Sequence, residues 1–211
     1  MGTVVSIVRA IDGNGPTPEI RTVRRKAPGR KSNVEHGRDR EYLTGAEVQR
    51  LMGAAQSHGR YGHRDATLIL LCYRHGLRVS ELISLKWSQV ELKAARIHIV
   101  RAKHGISGPH PLTGKELRAL RRLQRDQPTS TEFLFMSERG APLAPAAVAK
   151  IVKWAGQRAN IPFPVHPHML RHSCGYDLVN RGIDIRTIQG YLGHASISNT
   201  VIYTQLRCHP L

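Results

Sequence analysis

The spacing of apolar residues along this chain is mostly helical, with one short stretch of strict alternation. Val48, Leu51, Met52 and Ala55 fall on one face of a helix, and Thr44-Gly45-Ala46-Glu47 ahead of them has the form of a capping box. A second helix is predicted over about 64–75, dense in Leu68, Ile69, Leu70 and Leu71 and stopped by Gly76. Arg78 then lies at a junction between helices, and Leu82 and Leu85 give the next one its apolar face. Residues 95–101 alternate, with Ile97, Ile99 and Val100 among them, and read as a strand. Lys103 to Gly108 is a glycine-containing turn, and His110-Pro111-Leu112 begins a returning strand, which sets Lys103 at the edge of a small hairpin.

Helical spacing then resumes. Thr113-Gly114-Lys115-Glu116 is a second capping box, opening a helix to about Arg125 with Leu117, Leu120 and Leu123 inward. Its polar face carries Arg118, Arg121, Arg122 and Arg125, which is either a solvated face or a DNA-contacting one. Phe133-Leu134-Phe135 is a short apolar run. Pro145 suits the first turn of a helix to about Ala159, with Val148, Ile151, Val152 and Ala155 buried. Pro162, Pro164 and Pro167 keep 161–167 extended. A helix follows from His168 to about Asn180, ended by Gly182. Asp184 caps another through Ile185, Ile188 and Leu192 to Gly193, and a last helix starting near Ser198 carries Tyr203. The expected fold class is mainly α with a small antiparallel β-hairpin or sheet.

Composition narrows the partner. Lys plus Arg number 32 against 15 acidic residues, a formal charge of +17, which calls for a polyanion; a basic ribosomal or chromatin-type binder fits that charge as well as an enzyme does. Residues 21–40 hold Arg21, Arg24, Arg25, Lys26, Arg30, Lys31, Arg38 and Arg40 without apolar periodicity. They read as a flexible basic arm over 1–40, either a solvated linker or a strand of phosphate contacts that steepens the salt dependence of binding. Order begins near Glu41, and 41–211 reads as one domain. The three cysteines, Cys72, Cys174 and Cys208, form no CxxC pair, so neither a disulfide framework nor a thiolate zinc site is expected. His166, His168 and His172 cluster, but lack the carboxylate or cysteine partners of a zinc site. No signal peptide or spanning segment is apparent, so the expected place is the reduced cytoplasm, away from membrane.

The candidate chemistry lies in the last third and reaches back to Arg78. His168 and Arg171, three apart, share a helical face. Taken singly, an HxxR pair is usually a surface pair, Tyr203 a half-buried aromatic, and His194 a cation at a helix C-terminus. Taken together, the elements Gly76-Leu77-Arg78-Val79-Ser80-Glu81-Leu82, Lys103 on a turn, His168-x-x-Arg171, Leu192-Gly193-His194 and Tyr203-Thr204 occur in an order that resembles the catalytic signature of the tyrosine recombinase (phage integrase) family. Ala195-Ser196-Ile197 and Thr200 extend the agreement, which covers roughly 41–204. The short N-terminal segment makes the chain look most like the small recombinases of the fimbrial phase-switch type.

The resemblance implies the tyrosine recombinase catalytic-domain fold and a site-specific recombinase that cuts and rejoins DNA through a 3′-phosphotyrosine. It implies that Arg78 and Arg171 clamp the non-bridging oxygens of the scissile phosphate, a task suited to a planar, permanently charged fork. Tyr203 is then the nucleophile, His168 the candidate base, Lys103 the acid that protonates the departing 5′-oxygen, and His194 a further donor to the phosphate. Glu81 orients its neighbours. No metal, ATP or other cofactor is expected, because the cationic groups replace the ion and the phosphotyrosine conserves the bond energy. The implied partners are double-stranded DNA and further copies of the chain, assembled on DNA as a tetramer of two dimers. The tail after Tyr203 is too short for the helix that many relatives dock into a neighbour. The alternatives are type IB topoisomerase-like activity and a catalytically idle DNA-binding regulator of the same fold. A basic RNA-binding module would need aromatic stacking motifs, which are missing.

Overall fold

The computed structural model describes residues 40–102, 105–128 and 131–204. Of the basic arm expected over 1–40, residues 1–39 lie outside the described residues, as does the proposed acid Lys103. Eight α-helices and one small sheet occupy the described part, with α1 at Gly45–Gln56, α2 at Gly62–His75, α3 at Val79–Ile83, α4 at Gly114–Asp126, α5 at Pro145–Arg158, α6 at Pro167–Asn180, α7 at Ile185–Leu192 and α8 at Ser198–Val201. None of these helices is long and apolar enough to cross a membrane.

Helix α2 is the hub. Its residues Leu68, Ile69, Leu71 and Cys72 are all fully buried, so it is apolar on every side, and it packs against α1, α4 and α6. The amphipathic helices cover it: α1 through Val48, Leu51 and Met52, α4 through Leu120 and Leu123, α6 through Met169 and Leu170. Both predicted capping boxes form; the Thr44 and Thr113 backbone N–H groups donate to Glu47 and Glu116, each at 2.8 Å. Glu116, fully buried, also has its Oε1 2.8 Å from His75 Nε2, close enough for an ion pair though not aligned as a hydrogen bond, which ties the first turn of α4 to the last turn of α2.

The sheet is antiparallel in the order β1 (Val90–Glu91), β2 (Arg96–Ile99), β3 (Gly108–Pro111). Alternation in β2 buries Ile97 and Ile99 and exposes Arg96 and His98. Ile97 faces Val90 on one side and His110 on the other. Pro109 and Pro111, which lack an N–H, are tolerated because β3 is an edge strand. The two-residue strand β1 was not legible as a strand in the sequence.

A smaller apolar cluster sits beside the main core. Cys174 and Val179 of α6, Ile188 and Leu192 of α7, and Tyr203 pack together there. Tyr203 was expected on the last helix. That helix instead ends at Val201, and Tyr203 lies in the turn that follows, with its N–H donating to Thr200 O at 3.1 Å.

Candidate active site

Two helix ends meet at the centre of the site. Gly76 terminates α2 and Gly193 terminates α7, both in the left-handed region, with φ of 57° and 65°. Helix termini leave carbonyls without partners and carry a partial negative charge. Here guanidinium groups take up those carbonyls. Arg171 donates through Nη1 to Gly76 O and through Nη2 to Leu192 O at 2.7 Å. Arg101 donates to His75 O at 2.9 Å, to Gly76 O at 3.4 Å and to Tyr191 O. Arg78 makes a longer contact to Gly193 O, 3.4 Å. Arg101 also explains the glycine at 193: a Cβ there would stand 2.8 Å from Arg101 Cγ, so only a residue without a side chain lets the arginine pass beneath the helix end.

One carboxylate holds this group together. Glu81, 3% exposed, accepts from Arg78 N at 2.9 Å, Arg78 Nη1 at 2.6 Å, Arg101 Nη1 at 2.9 Å and Ala102 N at 3.1 Å, with Arg171 Nη1 at 4.0 Å. Burial pushes this carboxyl up, but the N–H of Arg78, the charge of Arg101 and the other donors outweigh it and hold it below its ordinary value. The sequence reading gave Glu81 an orienting role, and its contacts are all to neighbouring groups of the chain. Three guanidiniums therefore surround one carboxylate. Arg171 and Arg101 are almost wholly buried, whereas the side chain of Arg78 remains about a quarter exposed. Burial first, then the nearby charges of Arg78 and Arg101, bring Arg171 down to about 10, still well above neutrality. The local excess of positive charge is what an anion would find on arrival.

Histidines and the phenol complete the arrangement. His168 is exposed on the first turn of α6. His194 follows the α7 stop, and its Nδ1 lies 2.9 Å from Thr200 Oγ1. Burial, together with the charges of Arg171, Arg78 and Arg101, brings His194 down to about 4. It is therefore neutral at pH 7 rather than the helix-end cation its position suggests when taken singly. Tyr203 is 1% exposed, its ring stacked at 20° and 6.3 Å from that of His194. The face of the phenol lies over Gly175, where a Cβ would come within 2.6 Å of Cε2 and Cζ. Burial pushes the phenol well above its ordinary pKa, with Arg171 pulling the other way. The hydroxyl itself lies 3.2 Å from Nδ1 of His172.

Of the residues singled out in the sequence, Arg78, Arg171 and His194 converge on the ends of α2 and α7, and Tyr203 stacks on His194. His168 acts on the same groups electrostatically, since it and His194 each feel Arg78 and Arg171. Two neighbours escaped sequence reasoning. Arg101 continues the inward parity of Ile97 and Ile99, a signal that was there to be used. His172 lies four residues after His168 and so on the same helical face.

Comparison with known proteins shows the family and the fold. Residues 41–209 match the sequence profile described as the Phage integrase family. The chain is 45% identical to the type 1 fimbriae regulatory protein FimE of Escherichia coli K12 over 170 residues, 78% of this chain and 85% of FimE. It is 36% identical to tyrosine recombinase XerD of Ralstonia nicotianae, over 78% of this chain and 55% of XerD. Among solved structures, the XerA recombinase superposes with a TM-score of 0.69 at 31% identity, covering 77% of this chain and 59% of XerA. The chain thus spans a little over half the length of these Xer relatives. The XerH recombinase bound to its difH substrate, at 24% identity and a TM-score of 0.68, shares the fold, covering 78% of this chain and 50% of XerH.

Proposed function

Because the chain belongs to the Phage integrase family and so is a site-specific recombinase of the tyrosine type, we propose that the group at the ends of α2 and α7 binds a DNA phosphodiester for attack by Tyr203. Arg78, the most open of the three arginines, and Arg171, locked behind it, contact the non-bridging oxygens. His194 and His168 add donors from the two sides. The transition state of phosphoryl transfer gathers charge on those oxygens, so fixed cations that need no reorganisation stabilise it. Attack by Tyr203 Oη yields a 3′-phosphotyrosine and a free 5′-oxygen, which Lys103 protonates. Religation is the reverse. DNA-bound recombinases among the structural relatives support double-stranded DNA as the partner, and a product strand must be handed to another active site, so at least a second copy acts on the same DNA. In this reading residues 41–211 are the catalytic domain and the arm over 1–40 adds phosphate contacts.

The observation that carries the reading is the excess of three guanidiniums over one buried carboxylate beside an otherwise unreactive buried phenol. The test is incubation with nicked duplexes taken from the DNA flanking the gene, followed by a denaturing gel. A covalent protein–DNA adduct that Tyr203→Phe abolishes is expected. Binding without any adduct, in wild type as in the variant, would identify a DNA-binding regulator instead.

A further inference from the structure

The Tyr203 hydroxyl points at a residue that the sequence signature leaves out. Its contact is Nδ1 of His172, at 3.2 Å, on the second turn of α6. The phenol is held there from several sides. Gly175, one turn along α6, leaves room for the ring, Tyr176 packs edge-on at 5.0 Å, and His194 stacks on it. His172 itself is half-buried, and its ring meets that of His168 edge-on at 4.6 Å. The rings of His168, His172 and Tyr203 thus form a file running from the exposed surface to the buried hydroxyl.

We infer that His172 is the group that takes the proton from Tyr203 as the phenol attacks phosphorus. This rests on the recombinase reading above and moves the proton acceptor from His168, which the sequence favoured, to its neighbour one turn on. The reasons are geometric. His172 Nδ1 is already within hydrogen-bond reach of the nucleophile, which a general base requires. Burial, then His168 and Arg171, hold His172 down at about 4, against the opposing pull of Glu41; His166 acts with His168. The ring is therefore neutral at pH 7 and able to accept. In the step, the Tyr203 Oη–P bond forms and the P–O5′ bond breaks, its electron pair leaving on O5′. The phenol proton passes to His172 Nδ1, and O5′ takes a proton from Lys103. In religation the 5′-hydroxyl attacks phosphorus and gives its proton back to Lys103, the Oη–P bond breaks, and His172 returns its proton to Tyr203 Oη. The proton taken up stays on Nδ1, facing Tyr203 Oη, where it is in place for religation.

The experiment uses His172→Asn in the full chain, since asparagine presents an acceptor near the Nδ1 position but takes no proton. DNA binding and thermal stability are measured alongside adduct formation on the nicked duplex. The expected result is near-native binding with adduct formation slowed by about 10²-fold or more, the usual size of a general-base contribution. Replacing Tyr203 by a fluorinated, more acidic tyrosine should then restore most of the lost rate, because such a phenol ionises with less help. A purely structural role predicts no such rescue. Should His172→Asn not fold, His172→Gln is read the same way. An undiminished adduct in the variant, or a defect equally deep with the fluorinated tyrosine, overturns the assignment. No adduct from wild type on any flanking duplex instead counts against the recombinase reading itself.

Discussion

Glu81→Gln tests what holds the cationic centre in place. The substitution keeps shape and removes one negative charge. Each carboxylate oxygen now takes two N–H groups: Oε1 from Arg78 Nη1 and Ala102 N, Oε2 from Arg78 N and Arg101 Nη1. An amide has one oxygen, so whichever way it is turned, its NH2 group faces two donors. Two hydrogen bonds are lost, at least one of them charge-assisted, and Arg101, with its fully buried side chain, keeps its charge without a counter-ion. Removing one partner of a buried pair costs about 3–5 kcal/mol. In a domain of this size about 1 kcal/mol lowers Tm by roughly 2–4 °C, so a fall of about 6–20 °C is expected in a calorimetric scan. Acid should expose the same contact. The folded pKa of Glu81 lies below its ordinary value, so its stabilisation is complete above that ordinary value and fades as pH falls through the folded one. The variant should lose that part of the acid sensitivity. A Tm within about 2 °C of wild type would refute the claim that this carboxylate organises the arginines.

Arg171→Lys keeps the charge but cannot span Gly76 O and Leu192 O at once, so adduct formation should fall by about 10²–10³-fold, as for loss of a fixed transition-state donor; near-normal cleavage would count against the clamp. Gly175→Ala sets a methyl 2.6 Å from the Tyr203 ring. It should cost about 1–3 kcal/mol and release the phenol to titrate nearer its ordinary value in ultraviolet absorbance; an unchanged titration would mean the ring is not confined there. Stability should decline as pH falls from about 6.5 toward 4. His110, His172 and His194 are held down at about 3, 4 and 4, so the unfolded chain binds protons that the native state refuses. Each histidine contributes about 1.4 kcal/mol per pH unit, so a slope approaching about 4 kcal/mol per pH unit near pH 5 is expected in urea titrations, reduced by about a third in His110→Phe; a flat profile would contradict the buried, neutral state of these histidines.

Much of this architecture was legible because local rules and packing agree. The threonine caps, the left-handed glycines at 76 and 193 and the stripes of α1, α4 and α5 specify elements that the tertiary structure keeps. Departures arose where long-range contacts decide. Strand β1 exists only because Val90 and Glu91 find Ile97 and Arg96. Tyr203 leaves its helix because packing beneath Gly175 fixes it, not local propensity. In the site, signature residues were readable by order along the chain, whereas Arg101 needed parity counting across a buried strand end, and His172 looked like part of a histidine run until its partner was known.

His194 and Tyr203 belong to one short stretch, 194–203, which the His194–Thr200 contact fastens across its middle. Whatever grips the imidazole therefore also tugs on the tether of the attacking oxygen. Substrate docking and nucleophile alignment should arrive as a single event, with few molecules caught holding DNA while the phenol stays slack. A stopped-flow trace would then show adduct following binding without a separate lag, and loosening the fastening with Thr200→Val should split the two apart.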